Sequence, residues 1–304
     1  MAWIVAGRLA RTVVVLLGTS VAVFVAMRLI PGDPAVIFAG EQATREQIEA
    51  ARHAFGLDRP LWVQYGLFLR RALSGDLGTS TRTGRPVSEE LMHRYPLTLV
   101  LGGAAIAFSV AVGVPLGIFA AIRSGRWPDR LSVAVALLGA SAPTFLVGIL
   151  LQLAVAVELG WLPVTGAYTW RHLILPAASL GVFPVAMITR LVRTGLLEVL
   201  AEDYVRTARA KGLPEQQVIV RHALRPALNT TLTVVGLQFG AMLGASVFAE
   251  AVFSWPGLGR YLIQAIGHRD YPVVQGAVLL FAATYVAVNF TVDIAYRWLD
   301  PRIR

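Results

Sequence analysis

Five histidines, His53, His93, His172, His222 and His268, are the side chains best suited to hold a metal or move a proton, and no two of them are close in sequence. A metal site needs a spacing such as H-E-x-x-H, which the chain lacks. Cysteine is absent, which excludes disulfides, thiolate metal ligands and a cysteine nucleophile together. No serine occupies a G-x-S-x-G elbow. Lys211, the single lysine, is not part of a phosphate loop ending in Gly-Lys-Ser/Thr, so ATP is not bound here through that motif. The sequence therefore offers no catalytic residue and no metal ligand. What remains is a segment whose residues read as helix, stop and helix, Glu202-Asp203-Tyr204-Val205-Arg206-Thr207-Ala208-Arg209-Ala210-Lys211-Gly212-Leu213-Pro214.

Asp203 is placed to cap a short helix. Gly212 is placed to end it in a left-handed turn, and Pro214 prevents its continuation. A second helix is expected from Pro214 to Leu224, stopping before Arg225-Pro226. Ala208 and Ala210 are small enough to let a partner backbone approach. Read this way, the segment is a compact knob standing off a larger body; the alternative is an ordinary solvated loop rich in arginine.

The body is set by composition. Of 304 residues, 56% are hydrophobic and 15% charged, with mean hydropathy +0.63; soluble domains carry roughly 25% charge. A bilayer core of about 30 Å takes about 20 apolar helical residues, and six stretches qualify: Thr12–Ile30, Leu97–Ile122, Leu131–Val157, Leu173–Thr189, Thr230–Ala249 and Val273–Tyr296. The fourth holds Pro176, Gly181 and Pro184 and is expected to be kinked. The first is longer than the typical 7–15-residue core of a signal peptide and no small-x-small cleavage site follows it, so it reads as a retained span. The net charge of +9 does not imply nucleic acid, because the arginines sit in short segments between apolar runs and no aromatic-basic interleaving accompanies them.

Short loops fix orientation, since cytoplasmic ones concentrate Lys and Arg. Arg123, Arg126 and Arg130 occupy one, and Arg190, Arg193, Arg206, Arg209, Lys211, Arg221 and Arg225 another. Between them, 158–172 has only Arg171, and 250–272 only Arg260 and Arg269. With basic termini as well, both ends are expected in the cytoplasm. The chain then divides into an amino-terminal tail and first span (1–30), an external loop (31–96), and a five-span core (97–304) carrying the cytoplasmic loop 190–229. The external loop has eight acidic and eight basic residues. It carries helix-like runs at Thr44–Phe55 and Trp62–Leu73, the first opened by a Thr44/Gln47 capping box, and so is expected to fold as a small cap.

The 202–214 segment resembles the coupling loop of ABC-importer permeases, in particular the dipeptide/oligopeptide branch of the binding-protein-dependent inner-membrane components. Gly212 fits the family's glycine, Arg206-Thr207-Ala208 stands where Glu-Ala-Ala is usual, and Leu224 fits the later leucine, although Arg225 intervenes before Pro226. The R-T-A-R-A-K-G form is common in the peptide branch. Other pieces resemble the family in order: Arg28-Leu29-Ile30-Pro31-Gly32-Asp33-Pro34, Phe55-Gly56-Leu57-Asp58, Gly75-Asp76-Leu77-Gly78, Ser141-Ala142-Pro143-Thr144-Phe145, and Glu250-x-x-Phe253-x-x-Pro256-Gly257-Leu258-Gly259.

The resemblance implies an all-α integral membrane fold of six transmembrane helices, like an ABC type I importer permease, in a bacterial inner membrane. It implies a chain that is not itself an enzyme and holds no cofactor, with ATP and Mg in partner subunits. The expected partners are a second related permease, two ATP-binding subunits or domains, an external substrate-binding protein and lipid. The ATPase-coupling residues would be Tyr204, Val205, Arg206, Thr207, Ala208, Arg209, Ala210, Lys211 and Gly212. Peptides are the expected cargo; glutathione, nickel complexes and other small solutes also belong to this branch. A stand-alone secondary transporter would show inverted repeats and charged pairs near mid-membrane, and neither is evident.

Polar residues within membrane stretches carry functional expectations by default. Gln152, Gln238 and Asn289 suit a translocation path and interhelical hydrogen-bond glue equally. Glu250 suits an anchor for the Trp255–Gly259 turn, with a pathway or gate role as the rival. Asp293 and Arg297, four apart, are placed to pair on one helix face, with a proton relay at Asp293 as the rival.

Overall fold

The computed structural model describes residues 2–29, 33–39, 43–54, 56–127, 129–130, 132, 134, 139 and 141–299. The described residues fold into helices: α1 Ala2–Leu29, α2 Pro34–Ala39, α3 Arg45–Ala54, α4 Leu61–Leu73, α5 Val87–Ile122, α6 Thr144–Leu151, α7 Arg171–Leu200, α8 Asp203–Ala210, α9 Glu215–Gln217, α10 Leu224–Val252, α11 Leu258–Gly267 and α12 Tyr271–Leu299. Gln152–Glu158 and Val218–Ala223 are π-helical. Five apolar stretches are long enough to cross a membrane: Thr12–Leu29, Val87–Ile122, Arg171–Leu200, Val234–Val252 and Tyr271–Val292; Thr144–Glu158 is a shorter apolar helix. Much of the expected third span, including 135–138, lies outside the described residues. Its second half is broken off at Ala142-Pro143, with Pro143 in the N-cap position of α6, because a proline disfavours helical geometry in the residue before it.

By their internal contacts, residues 1–97 and 257–286 form one compact unit and 98–256 and 287–304 a second. In the first unit, α4 lies along α1. Phe24 meets Tyr65 edge-on with ring centroids 5.3 Å apart, and Arg28 caps the Phe24 ring at 3.3 Å while its Nη2 donates to Gln64 Oε1 at 2.7 Å. The reciprocal capping box at the start of α3 is formed: Thr44 N–H donates to Gln47 Oε1 and Gln47 N–H to Thr44 Oγ1. The unit's core joins Val87 and Leu91 of α5 to Leu258 and Leu262 of α11 and Val273, Val274 and Ala277 of α12. Above it, the 79–86 turn is clamped by the nearly buried carboxylate of Asp270, which accepts from Ser80 Oγ at 2.5 Å and Thr81 N–H at 3.3 Å. Glu90 accepts from the Tyr261 hydroxyl, and Arg94 covers that ring at 4.0 Å.

In the second unit, glycines let helices touch. Lipid removes most of the hydrophobic drive between helices, so close backbone approach matters more there than bulk. A Cβ on Gly117 would stand 2.7 Å from both the Thr189 carbonyl and Val192 Cβ, and one on Gly181 2.7 Å from the Phe108 ring. The contact is stitched by Ser109 Oγ to the Gly181 carbonyl at 3.1 Å and Thr189 Oγ1 to the Gly113 carbonyl at 3.2 Å. Gly113 and Gly117 lie one turn apart, the small-x-x-x-small spacing that such contacts use. α7 is a single 30-residue helix containing Pro176 and Pro184, so the fourth span is longer than Leu173–Thr189 and takes in Arg190 and Arg193, which sequence placed in a loop.

A buttressed knob and the candidate pathway residues

Helix α8 carries the nine residues expected to couple. Its N-cap is Glu202, with no side-chain cap bond, rather than the expected Asp203, which is the first helical residue. Gly212 has φ +77°, the left-handed geometry that a side chain opposes; the Gly212 N–H bonds the Arg209 carbonyl at 3.0 Å. Pro214 stands at the N-cap of α9. The second element does not stop before Arg225-Pro226. It runs from Glu215 through the π-helical turn directly into α10, so Pro226, third residue of α10, follows the π-helical residues 218–223, an interruption of the regular ladder of the kind that accompanies a helix-interior proline. The knob therefore continues, through that turn, into the fifth span.

Two of the expected contact residues face inward. Val205 and Ala208 pack with Val218 against Leu200 and Leu213, and Ala208 is only 7% exposed. The reason given for Ala208, close approach by a partner, is thus corrected: its small side chain admits the chain's own Val218. Tyr204, Arg206, Thr207, Arg209, Ala210, Lys211 and Gly212 remain exposed. Arg209 grips Glu215 with two bonds, Nη2 to Oε1 at 2.7 Å and Nε to Oε2 at 3.1 Å, closing the knob across Gly212. That hydrogen bond holds the Glu215 carboxyl below its usual range, against a smaller opposing effect of burial.

A second arginine-rich segment is tied to the same helix that feeds the knob. Arg193 on α7 holds Asp129 through Nε to Oδ1 at 2.5 Å and Nη2 to Oδ2 at 2.8 Å, and Gly125 N–H donates to Oδ2 at 2.9 Å. The side chain of Asp129 is 6% exposed. The Arg193 bond holds its carboxyl below the usual aspartate range, more than burial raises it. Sequence reasoning missed this pair because 64 residues separate its members; the unexplained acidic residue in a three-arginine loop was the one signal.

The four pathway candidates meet different fates. Glu250 is fully buried; its Oε1 accepts from Thr98 Oγ1 at 2.7 Å and Ser246 Oγ at 3.3 Å, and its backbone carbonyl takes the Trp255 N–H at 2.9 Å. The side chain thus ties α5 to α10, while the bond to Trp255 is made by the backbone alone. Gln152, on the π-helical turn, donates to the Val164 carbonyl at 2.9 Å. Gln238 is half-buried on α10. Asn289 on α12 is half-buried, and its Oδ1 is enclosed with no hydrogen-bond partner among the described residues. The side chains of Asp293 and Arg297 lie outside the described residues. No group of three or more His, Asp or Glu able to hold a metal occurs among the described residues.

These features have known counterparts. Residues 113–304 match the family described as binding-protein-dependent transport system inner membrane component, and residues 1–102 its N-terminal family. The glutathione transport system permease protein GsiC of Salmonella paratyphi A is 44% identical over 98% of this chain and 97% of its own length; that of Escherichia coli K12 is 45% identical over 94% and 93%. Among solved structures, the inward-facing MetNI methionine ABC transporter superposes with TM-score 0.58 at 21% identity, over 69% of this chain and 96% of the other. An amino acid ABC transporter with histidines gives 0.53 at 17% identity, over 71% and 95%. The chain belongs to the binding-protein-dependent transport system inner membrane components and is the membrane-spanning permease subunit of an ABC importer.

Proposed function

We propose that this chain forms half of a translocation pathway for short peptides and is driven through its α8 knob by ATPase subunits of other chains. The observation that carries the coupling role is the knob itself: a helix braced on Val218 and Arg209–Glu215, continuous with α10, and presenting Tyr204, Arg206 and Lys211 outward. A braced element joined to a spanning helix passes an applied displacement on, whereas a floppy loop absorbs it. The arginine-rich loops favour an orientation with the knob and both termini in the cytoplasm and the 31–96 cap outside, where a binding protein would deliver cargo.

Peptides are the cargo by resemblance of the R-T-A-R-A-K-G segment. The relatives named as glutathione permeases favour a specific form of that reading, since glutathione is itself a tripeptide. One knob engages one cleft, so a closing ATPase pair calls for a second, related permease. The test is uptake by the complex purified from native membranes and reconstituted with its binding protein. Labelled di- and tripeptides and glutathione should enter only with ATP and Mg, at a native mass of one copy of this chain, one distinct permease and two ATPase domains. Two copies of this chain in an active particle refute the heteromer; uptake of a non-peptide solute alone refutes the cargo.

A further inference from the structure

The 1–97/257–286 unit forms an open cleft of about 880 Å³ bounded by the end of α1, α3, α4, the 75–79 turn and the start of α12. Such a volume lies within the range of small-molecule sites, roughly 300–1,000 Å³. None of the coupling or pathway candidates belongs to this unit.

Its frame is fixed. Gln64 donates Nε2 to the Arg59 carbonyl at 2.7 Å and the Leu57 carbonyl at 3.2 Å while accepting from Arg28, and Arg52 pairs with Asp33 at 2.5 Å. Arg28 and Arg52 are therefore committed. Arg59 and Arg71 also line the cavity, and neither guanidinium has an ion-pair partner among the described residues. Asp76 lines it too, with Oδ1 taken by the Gly78 N–H at 2.9 Å and its other oxygen unengaged among the described residues. Leu57, Leu67 and Phe68 supply apolar wall. Tyr271, 6% exposed and also lining it, has a hydroxyl with no partner among the described residues.

We propose that this cavity binds a free short peptide: Arg59 and Arg71 take its terminal carboxylate, Asp76 its terminal ammonium, and the apolar wall a side chain. Two guanidiniums without an ion pair among the described residues and one carboxylate, lining a single cleft, fit a zwitterion better than a simple anion, which Asp76 would repel. Guanidinium is the donor suited to a carboxylate, binding it in two-pronged fashion. The site would sense or concentrate the cargo class proposed above beside the permease, and that class is the point on which it rests. The site itself is defined without the partners.

The test is titration calorimetry on the full-length chain in nanodiscs, without partners, using Ala-Ala-Ala, its C-terminal amide and its N-acetyl form. Saturable one-to-one binding of the free tripeptide is expected, weakened roughly ten- to hundred-fold by amidation, by Arg59→Gln or by Arg71→Gln. Asp76→Asn should remove the preference over the N-acetyl form. Arg59 and Arg71 are exposed side chains, so their neutral variants are expected to fold; unchanged circular dichroism melts confirm it. Absence of saturable binding, an amide bound as tightly as the acid, or unweakened binding by both arginine variants overturns the assignment. None of these results touches the ATP-dependent uptake experiment.

Discussion

Replacing Asp129 by Asn keeps the side chain's size and removes the charge that Arg193 holds through bonds of 2.5 and 2.8 Å. Hydrogen bonds to charged groups contribute about 1.5–3 kcal/mol, and breaking a buried pair costs about 3–5 kcal/mol. The Asp129 side chain is 6% exposed and that of Arg193 25%, so water recovers part of the guanidinium's loss. The expected cost is about 2–3 kcal/mol for Asp129→Asn, with similar loss for Arg193→Gln. The double variant should be less destabilised than the sum, by a coupling of about 2 kcal/mol. The pH dependence has a definite sign. The carboxyl titrates below its usual range in the folded chain, so the contribution is complete above the unfolded value of about 3.9. It is lost as pH falls through the lower, folded value. Denaturant titration in detergent, followed by tryptophan fluorescence at pH 7 and at acid pH, measures both effects. Additive single variants, or a cost below about 0.5 kcal/mol at neutral pH, would refute the reasoning.

Gly212→Val forces a β-branched residue into φ +77°, a strain of about 1–3 kcal/mol, and should abolish transport while leaving membrane insertion intact; ATP-dependent uptake and membrane fractionation check it. Ala208→Asp should also abolish transport, through a charge placed against Val205 and Val218, whereas Lys211→Glu alters the exposed face alone and should weaken copurification of the ATPases without changing the melt. Gly117→Ala drives a methyl to 2.7 Å from the Thr189 carbonyl and should cost about 1–3 kcal/mol in detergent unfolding, while Gly103→Ala meets nothing within 4 Å and should be neutral or better. For topology, single cysteines at Arg85 and Thr165 should label from outside and those at Ser124 and Gln216 only after permeabilisation, all four positions being exposed; Thr165 is used because a side chain at its neighbour Gly166, φ +105°, would strike the Tyr168 ring. External labelling at Ser124 would reverse the orientation.

What sequence revealed was local. The Thr44/Gln47 box and the Gly212 turn depend on residues a few positions apart, and both are formed. Five of the six expected spans followed from length and apolarity. The boundaries failed where polarity was taken for a loop: Arg190 and Arg193 belong to α7, and Arg225-Pro226 to the first turn of α10. The inward face of α8 was hidden because Ala208 is defined by Val218, beyond a left-handed turn that breaks helical periodicity. The Asp129–Arg193 and Ser80–Asp270 pairs leave no periodic trace, and the fate of Glu250 needed Thr98, which is 152 residues away.

The Asp270 clamp on the 79–86 turn also bears on how the chain is made. Ser80 and its carboxylate partner are 190 residues apart, and ribosomes add roughly 5–20 residues per second. The turn therefore waits roughly 10–40 s after its own synthesis before the group that closes it exists. During that interval Val87 and Leu91 also lack α11 and α12, the helices that complete their core. This part of the protein therefore closes only once α11 and α12 have been made. A chain truncated before Asp270 would be left with an open, protease-sensitive head, so closure of the clamp reports that synthesis has passed that residue.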